Sequence, residues 1–109
     1  MGTVRGIRSI APEQAWELVG RGEARLLDLR TDLERRRYDW PPGAPRVSLA
    51  KHVAWPEGPD TIYLCRHAHR SKLTARRGAA EVAGGWPAWE AAGLPVERAL
   101  GASTDGPRD

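Results

Sequence analysis

The stretch Cys65-Arg66-His67-Ala68-His69-Arg70-Ser71 gathers a thiol, two guanidiniums, two imidazoles and a hydroxyl within one short run. Cys65 is the single cysteine of the chain. A thiol becomes a strong nucleophile when ionised, and nearby cations or a helix N-terminus favour the ionised form. Arg66 and Arg70 supply the cations. A loop curling into a helix at Ser71 would also turn backbone N–H groups inward, making a concavity suited to an anion. The chemistry expected is attack by a Cys65 thiolate on a negatively charged substrate held in that loop. The plainer alternative is a small buried residue closing a strand, as free cysteines often are. Zinc is a third reading, because Cys65, His67 and His69 alternate. Zinc wants a fourth ligand, or three well-presented ligands plus water, and the next acidic residue downstream is Glu81. Alternation would align the three only if the strand continued, which this polar run does not favour. No metal is therefore expected.

The elements that must position the loop are readable from pattern. Thr61-Ile-Tyr-Leu-Cys65 is β-branched and aromatic, follows Gly58-Pro59-Asp60, and predicts a strand ending at the thiol. Arg25-Leu-Leu-Asp-Leu29 predicts a second, buried strand. Pro12 suits the first position of a helix that carries Ala15, Leu18 and Val19 on one face, Trp16 beside them, and ends at Gly20 and Gly22. Thr31-Asp-Leu-Glu34 is a capping box opening another helix. Pro41 to Pro45 is a turn segment, and Arg46-Val-Ser-Leu49 predicts a short strand. A helix from about Ser71 to Arg77, a brief strand around Ala80 to Ala83 and a helix opened by Pro87 follow, the last stopped by Gly93 and Pro95. Strands alternating with helices predict an α/β domain with a mainly parallel sheet. Such sheets gather reactive groups beyond the carboxyl ends of their strands, where Cys65 falls.

Composition narrows the setting. With 109 residues, 40% hydrophobic and 28% charged, one globular domain over residues 1–100 with a free polar tail at 101–109 is expected. The net charge is +3, but the arginines are scattered and the trio Arg35, Arg36, Arg37 reads as a solvated helix end, so no nucleic-acid partner is expected. No apolar run reaches the roughly 18 residues of a membrane span, and Met1 to Ile10 lacks the apolar stretch of a signal peptide. One cysteine permits no internal disulfide, and a cytoplasmic monomer is the expectation. Of the five tryptophans, Trp86 and Trp89 are expected to pack near the last helix and the others to line the core or its rim.

Five pieces taken together resemble a single-domain rhodanese: Leu26-Leu-Asp-Leu-Arg30, Pro42-Gly-Ala44, Thr61-Ile-Tyr-Leu-Cys-Arg66 with Arg70-Ser71, Gly84-Gly-Trp-Pro-Ala-Trp89, and Ala92-Gly-Leu-Pro-Val96. The resemblance runs from about Ile10 to Glu97, with the motifs in the family's order. It implies a central, mainly parallel sheet of about five strands flanked by helices on both faces, and a catalytic cysteine heading the active-site loop. Four residues separate Cys65 from Arg70; the resemblance implies a longer loop in the related phosphatases and arsenate reductases, so this length favours sulfur transfer.

The resemblance further implies that Cys65 takes the outer sulfur of thiosulfate as a persulfide and passes it to cyanide, a thiol or a protein acceptor, with no cofactor. Arg70 would stabilise the loop and anion, Arg66 would face the mouth and select the substrate, and Asp28 and Arg30 would support the site. For these last two a plain strand end and helix lead-in is the other reading. The sequence departs from the family pattern at Ala68, where glycine is frequent, in a shortened segment from Lys72 to Ala83, and at Asp39-Trp40-Pro41, where Gly-His-Ile is usual. The alternatives to a sulfurtransferase are a non-enzymatic binding or sulfur-carrier module and a cysteine-based phosphatase or arsenate reductase.

Overall fold

Four short strands align in parallel in a computed structural model that describes residues 8–66, 74–75 and 77–98. They are β1 (Arg8–Ile10), β2 (Arg25–Asp28), β3 (Thr61–Leu64) and β4 (Ala80–Val82), in the spatial order β1-β4-β3-β2. The helices between and after them are α1 (Pro12–Gly20), α2 (Asp32–Tyr38), α3 (Leu49–Ala54) and α4 (Gly85–Ala91). Every strand pair is parallel, and β3 lies centrally with Leu64 opposite Asp28 and Tyr63 opposite Glu81.

Alternation along β3 divides the interior into two layers. Ile62 and Leu64 face a core with Ile10, Ala15, Leu26, Val82, Trp86 and Trp89, against which Trp16, Leu18 and Val19 of α1 pack. Tyr63 and Cys65 face the opposite layer, with Leu27, Leu29, Ala75 and Ala79. Trp86 and Trp89 are fully buried and stacked at 6.5 Å, while Trp16 meets Trp89 edge-on at 5.8 Å. An indole so enclosed contributes about 3–5 kcal/mol relative to alanine.

Local chemistry accounts for most element ends. Thr31 Oγ1 accepts the Glu34 N–H, and Glu34 Oε1 accepts the Thr31 N–H, completing the capping box of α2. Two expectations change. Arg46–Leu49 is not a strand: it forms one parallel bridge, Arg46 to Asp28, after which Ser48 Oγ accepts the Lys51 N–H and caps α3. A serine hydroxyl competes well as a cap, and the Leu-Ala-Lys run behind it favours helix. The sheet thus has four strands among the described residues, and β1 joins its edge beside β4. The helix expected to reach Arg77 stops before it, because Arg77 (φ 55°) and Gly78 (φ 89°) form a left-handed turn. Residues 67–73, 76 and 101–109, on which the rest of that helix and the tail fall, lie outside the described residues.

Asp39 closes α2 with φ 67° and ψ −174°, a region that a side chain strongly disfavours. Its N–H still reaches Arg35 O at 2.7 Å, and its carbonyl accepts Arg30 Nη2 at 2.7 Å. This is where the rhodanese pattern has glycine. Asp39→Gly is therefore expected to stabilise the protein by about 1 kcal/mol, relief of strain outweighing glycine's extra unfolded entropy. A urea midpoint that fails to rise would show that the aspartate side chain compensates.

On the Cys65 layer, buried His52 of α3 meets Tyr63. The Tyr63 hydroxyl accepts the Glu57 N–H at 2.9 Å and shares a hydrogen bond with His52 Nδ1 at 2.7 Å. Burial holds the His52 pKa below its usual value, partly offset by Glu57 and reinforced by Lys51 and Arg25. The neutral form belongs to the folded state, so this stabilisation is present above about pH 6.5 and is lost as pH falls through the lower folded value. The urea midpoint should decline on acidification from neutral pH, and decline less in His52→Asn, whose amide gains no proton in this range and can still hydrogen-bond the Tyr63 hydroxyl. An equally steep decline in the variant would place the acid response elsewhere.

Candidate active site

The carboxyl ends of β2 and β3 place Asp28, Arg30, Cys65 and Arg66 at one end of the sheet, with the Cys65 side chain in the layer of Leu27 and Leu29 and the Arg30 guanidinium against Trp86 in the other. Leu29 N–H donates to Leu64 O at 2.8 Å, so the segment Leu29–Arg30 runs on beside the turn that carries Cys65. Cys65 is 1% exposed, and bulk water is kept from it. Arg66 is half-buried, its guanidinium carbon 3.8 Å from the centre of the Tyr38 ring. His67, Ala68, His69, Arg70 and Ser71 lie outside the described residues. Among those described, no group of three or more His, Cys, Asp or Glu side chains could hold a metal ion.

The start of α4 grips the Cys65 turn from the other side. The Trp86 N–H donates to both Cys65 O at 2.9 Å and Arg66 O at 3.1 Å. Gly85 makes this approach feasible: a Cβ there would lie 2.6 Å from Arg66 O and 2.7 Å from Cys65 O, and its φ is +66°. Because a peptide unit is planar and trans, a Cys65 carbonyl pinned toward α4 forces the Arg66 N–H to point the opposite way. The donor that follows the thiol is thereby oriented without touching the thiol.

Asp28 and Arg30 form a fully buried ion pair at 2.8 Å. Asp28 Oδ1 accepts both the Arg30 backbone N–H and Nε at 3.0 Å, while Arg30 Nη2 divides between Asp28 Oδ2 and Asp39 O. The guanidinium also lies 4.3 Å over Trp86, joining β2, the end of α2 and the start of α4. Arg35 Nε approaches Asp28 Oδ2 at 3.6 Å, so one buried carboxylate faces two guanidiniums. Arg30 Nη1 and Trp86 Nε1 are buried with no hydrogen-bond partner among the described residues.

Sequence reasoning placed Cys65, Asp28 and Arg30 at one end of the sheet, and the structure brings them there. It did not assign Tyr38, Gly85 or Trp86 a part in the site. The available signal was the pair Gly84-Gly85 opening a helix with no side-chain cap, a pattern that marks close backbone approach.

No family model matches the chain. It is 33% identical over 101 residues to the thiosulfate sulfurtransferase GlpE of Actinobacillus pleuropneumoniae, covering 83% of this chain and 93% of that one. The chain belongs to the rhodanese-like sulfurtransferases. Solved structures agree on the fold. The human single-domain sulfurtransferase TSTD1 has a TM-score of 0.62 at 20% identity, over 79% of this chain and 97% of that chain. A Rhodopseudomonas palustris protein of unknown function, named as a possible tyrosine phosphatase, has a TM-score of 0.69 at 22% identity, over 89% of this chain and 98% of that chain. Within this rhodanese-like chain the sole cysteine stands at the carboxyl end of the central strand, with its carbonyl fixed by α4. No helix among the described residues is long and apolar enough to cross a membrane.

Proposed function

We propose that this chain moves a sulfane sulfur from thiosulfate, or a similar small anionic donor, to a thiophilic acceptor through a persulfide on Cys65. The observation that carries the reading is the sole cysteine at the end of β3 in a chain one-third identical to thiosulfate sulfurtransferases. The Cys65 thiolate attacks the outer sulfur of thiosulfate; the new S–S bond forms as the old one breaks, and sulfite leaves with the electron pair. Cyanide or a thiolate then attacks the outer persulfide sulfur, and Cys65 departs as thiolate, a two-step covalent cycle. Arg66 N–H, aimed away from α4, would begin the cradle for the negative persulfide, with Arg70 and the backbone of residues 67–71 completing it. Asp28 and Arg30 act as positioning residues through Asp39 and Trp86. A monomer in a reducing compartment such as the cytoplasm fits a chain whose single cysteine allows no internal disulfide.

The phosphatase reading draws on the Rhodopseudomonas palustris neighbour, and the four-residue spacing from Cys65 to Arg70 argues against it. The test is to incubate the protein with thiosulfate, record the intact mass, map the modified peptide and then add cyanide. A gain of one sulfur atom on the Cys65 peptide, released as thiocyanate, is expected. Absence of that adduct on folded protein would sink the proposal, and turnover of an aryl phosphate in its place would establish the phosphatase.

A further inference from the structure

Two cations of α2, Arg36 and Arg37, lie outside the groups already given a part in sulfur transfer. Leu33, Arg36 and Arg37 stand at i, i+3 and i+4 on one helix face, and all three are exposed, Leu33 at 66%. The acids of the same helix are turned to other work. Asp32 pairs with Arg46 at 2.8 Å, and Glu34 accepts the Thr31 N–H. Arg35 turns inward, near Asp28 and 4.5 Å over Trp40. Arg36 and Arg37 form no ion pair with a described residue. Arg37 and Arg66 both approach the Tyr38 ring, at 5.8 and 3.8 Å. Since Arg66 directly follows Cys65, a cationic band runs from the thiol's neighbour across Tyr38 to the exposed face of α2.

We infer that this band docks an acidic polypeptide bearing a thiol, which is the sulfur acceptor; the inference rests on the sulfur-transfer reading above. Three observations select this partner. A seven-residue helix is about 10 Å long, well beyond the reach of a thiosulfate-sized anion. An exposed leucine one turn before the two cations serves an apolar side chain, not a small anion or a phosphate backbone. Tyr38 already carries two guanidiniums and is not free to stack a nucleic-acid base. A buried sulfur also gives docking a purpose: cyanide can diffuse to it, whereas a protein thiol must be held at the entrance. In the transfer, the acceptor thiolate attacks the outer persulfide sulfur, the S–S bond breaks, and Cys65 leaves as thiolate while the acceptor becomes the persulfide.

The experiment compares two cysteine peptides, one flanked by Asp, Glu and a leucine, the other by Ser and Gly, with cyanide as reference acceptor. Thiosulfate-loaded wild type should transfer sulfur to the acidic peptide about tenfold faster at low salt, an advantage that high salt removes. Leu33→Asp with Arg36→Glu should abolish the preference while leaving transfer to cyanide unchanged. Equal rates for both peptides, or a variant that slows cyanide as much as peptide, would overturn the inference. Competition by an RNA oligonucleotide as strong as by unlabelled acidic peptide would replace the polypeptide with nucleic acid. Anisotropy titration of the labelled acidic peptide onto unloaded protein separates the two proposals. Charge-dependent binding without any sulfur loading would retain the docking face and reject the sulfur-transfer reading.

Discussion

Arg30→Ala is expected to destabilise the protein by about 3–5 kcal/mol, the range for removing one partner from a buried ion pair. Asp28 would stay at 0% exposure with Arg35, 3.6 Å away, as its one cationic neighbour among the described residues. The same change deletes the bond to Asp39 O, which holds a residue in a strained conformation, and the stack on Trp86. Small domains have about 5–15 kcal/mol in total, so the variant should unfold at a much lower urea concentration with an unchanged slope. Arg30→Lys should recover only part of the loss, since an ammonium cannot grip Asp28 in two places and reach Asp39 as well. The pair is not thereby a net stabiliser: Asp28→Leu with Arg30→Met should lose far less than Arg30→Ala. A loss below about 1 kcal/mol in Arg30→Ala would show that water or Arg35 satisfies Asp28.

What the sequence disclosed follows from the range over which each feature is decided. The α2 capping box, the proline opening α1 and the β-branched run of β3 are settled within a few residues, and all three are present. β1 escaped notice because it is only three residues long and two of them, Arg8 and Ser9, are polar and exposed. Arg46–Leu49 looked like a strand because it pairs with β2 at one residue only, and Ser48 then serves a cap instead. At the site, Asp28 and Arg30 were legible as neighbours on one strand end. The link from Trp86 N–H to Cys65 O crosses some twenty positions of chain and exists only because parallel topology brings α4 beside β3. Asp39-Trp40-Pro41 looked like a mild departure from pattern; only its backbone angles show the strain.

Gly85→Ala tests that long-range link directly. Alanine at φ +66° costs about 1–2 kcal/mol, and its Cβ would meet the Arg66 and Cys65 carbonyl oxygens and the Arg66 carbonyl carbon at 2.6–2.8 Å. These are backbone atoms, which cannot swing aside as a flexible side chain does, so the Cys65–Arg66 turn must move. With overpacking included, the expected loss of stability is about 2–4 kcal/mol. The expected loss of sulfur loading is larger, about 100-fold at saturating thiosulfate, since a displacement near 1 Å at a reacting group has that effect. Gly84→Ala is the control that keeps position separate from stability. Gly84 has a similar φ of +78°, yet its Cβ would meet only the side chain and Cα of Ala88, the nearer at 2.8 Å, and neither site carbonyl. Gly84→Ala should therefore weaken the fold while persulfide formation by its folded fraction stays near wild type. If both variants load sulfur equally well, α4 holds the turn in place without orienting the donor that follows the thiol.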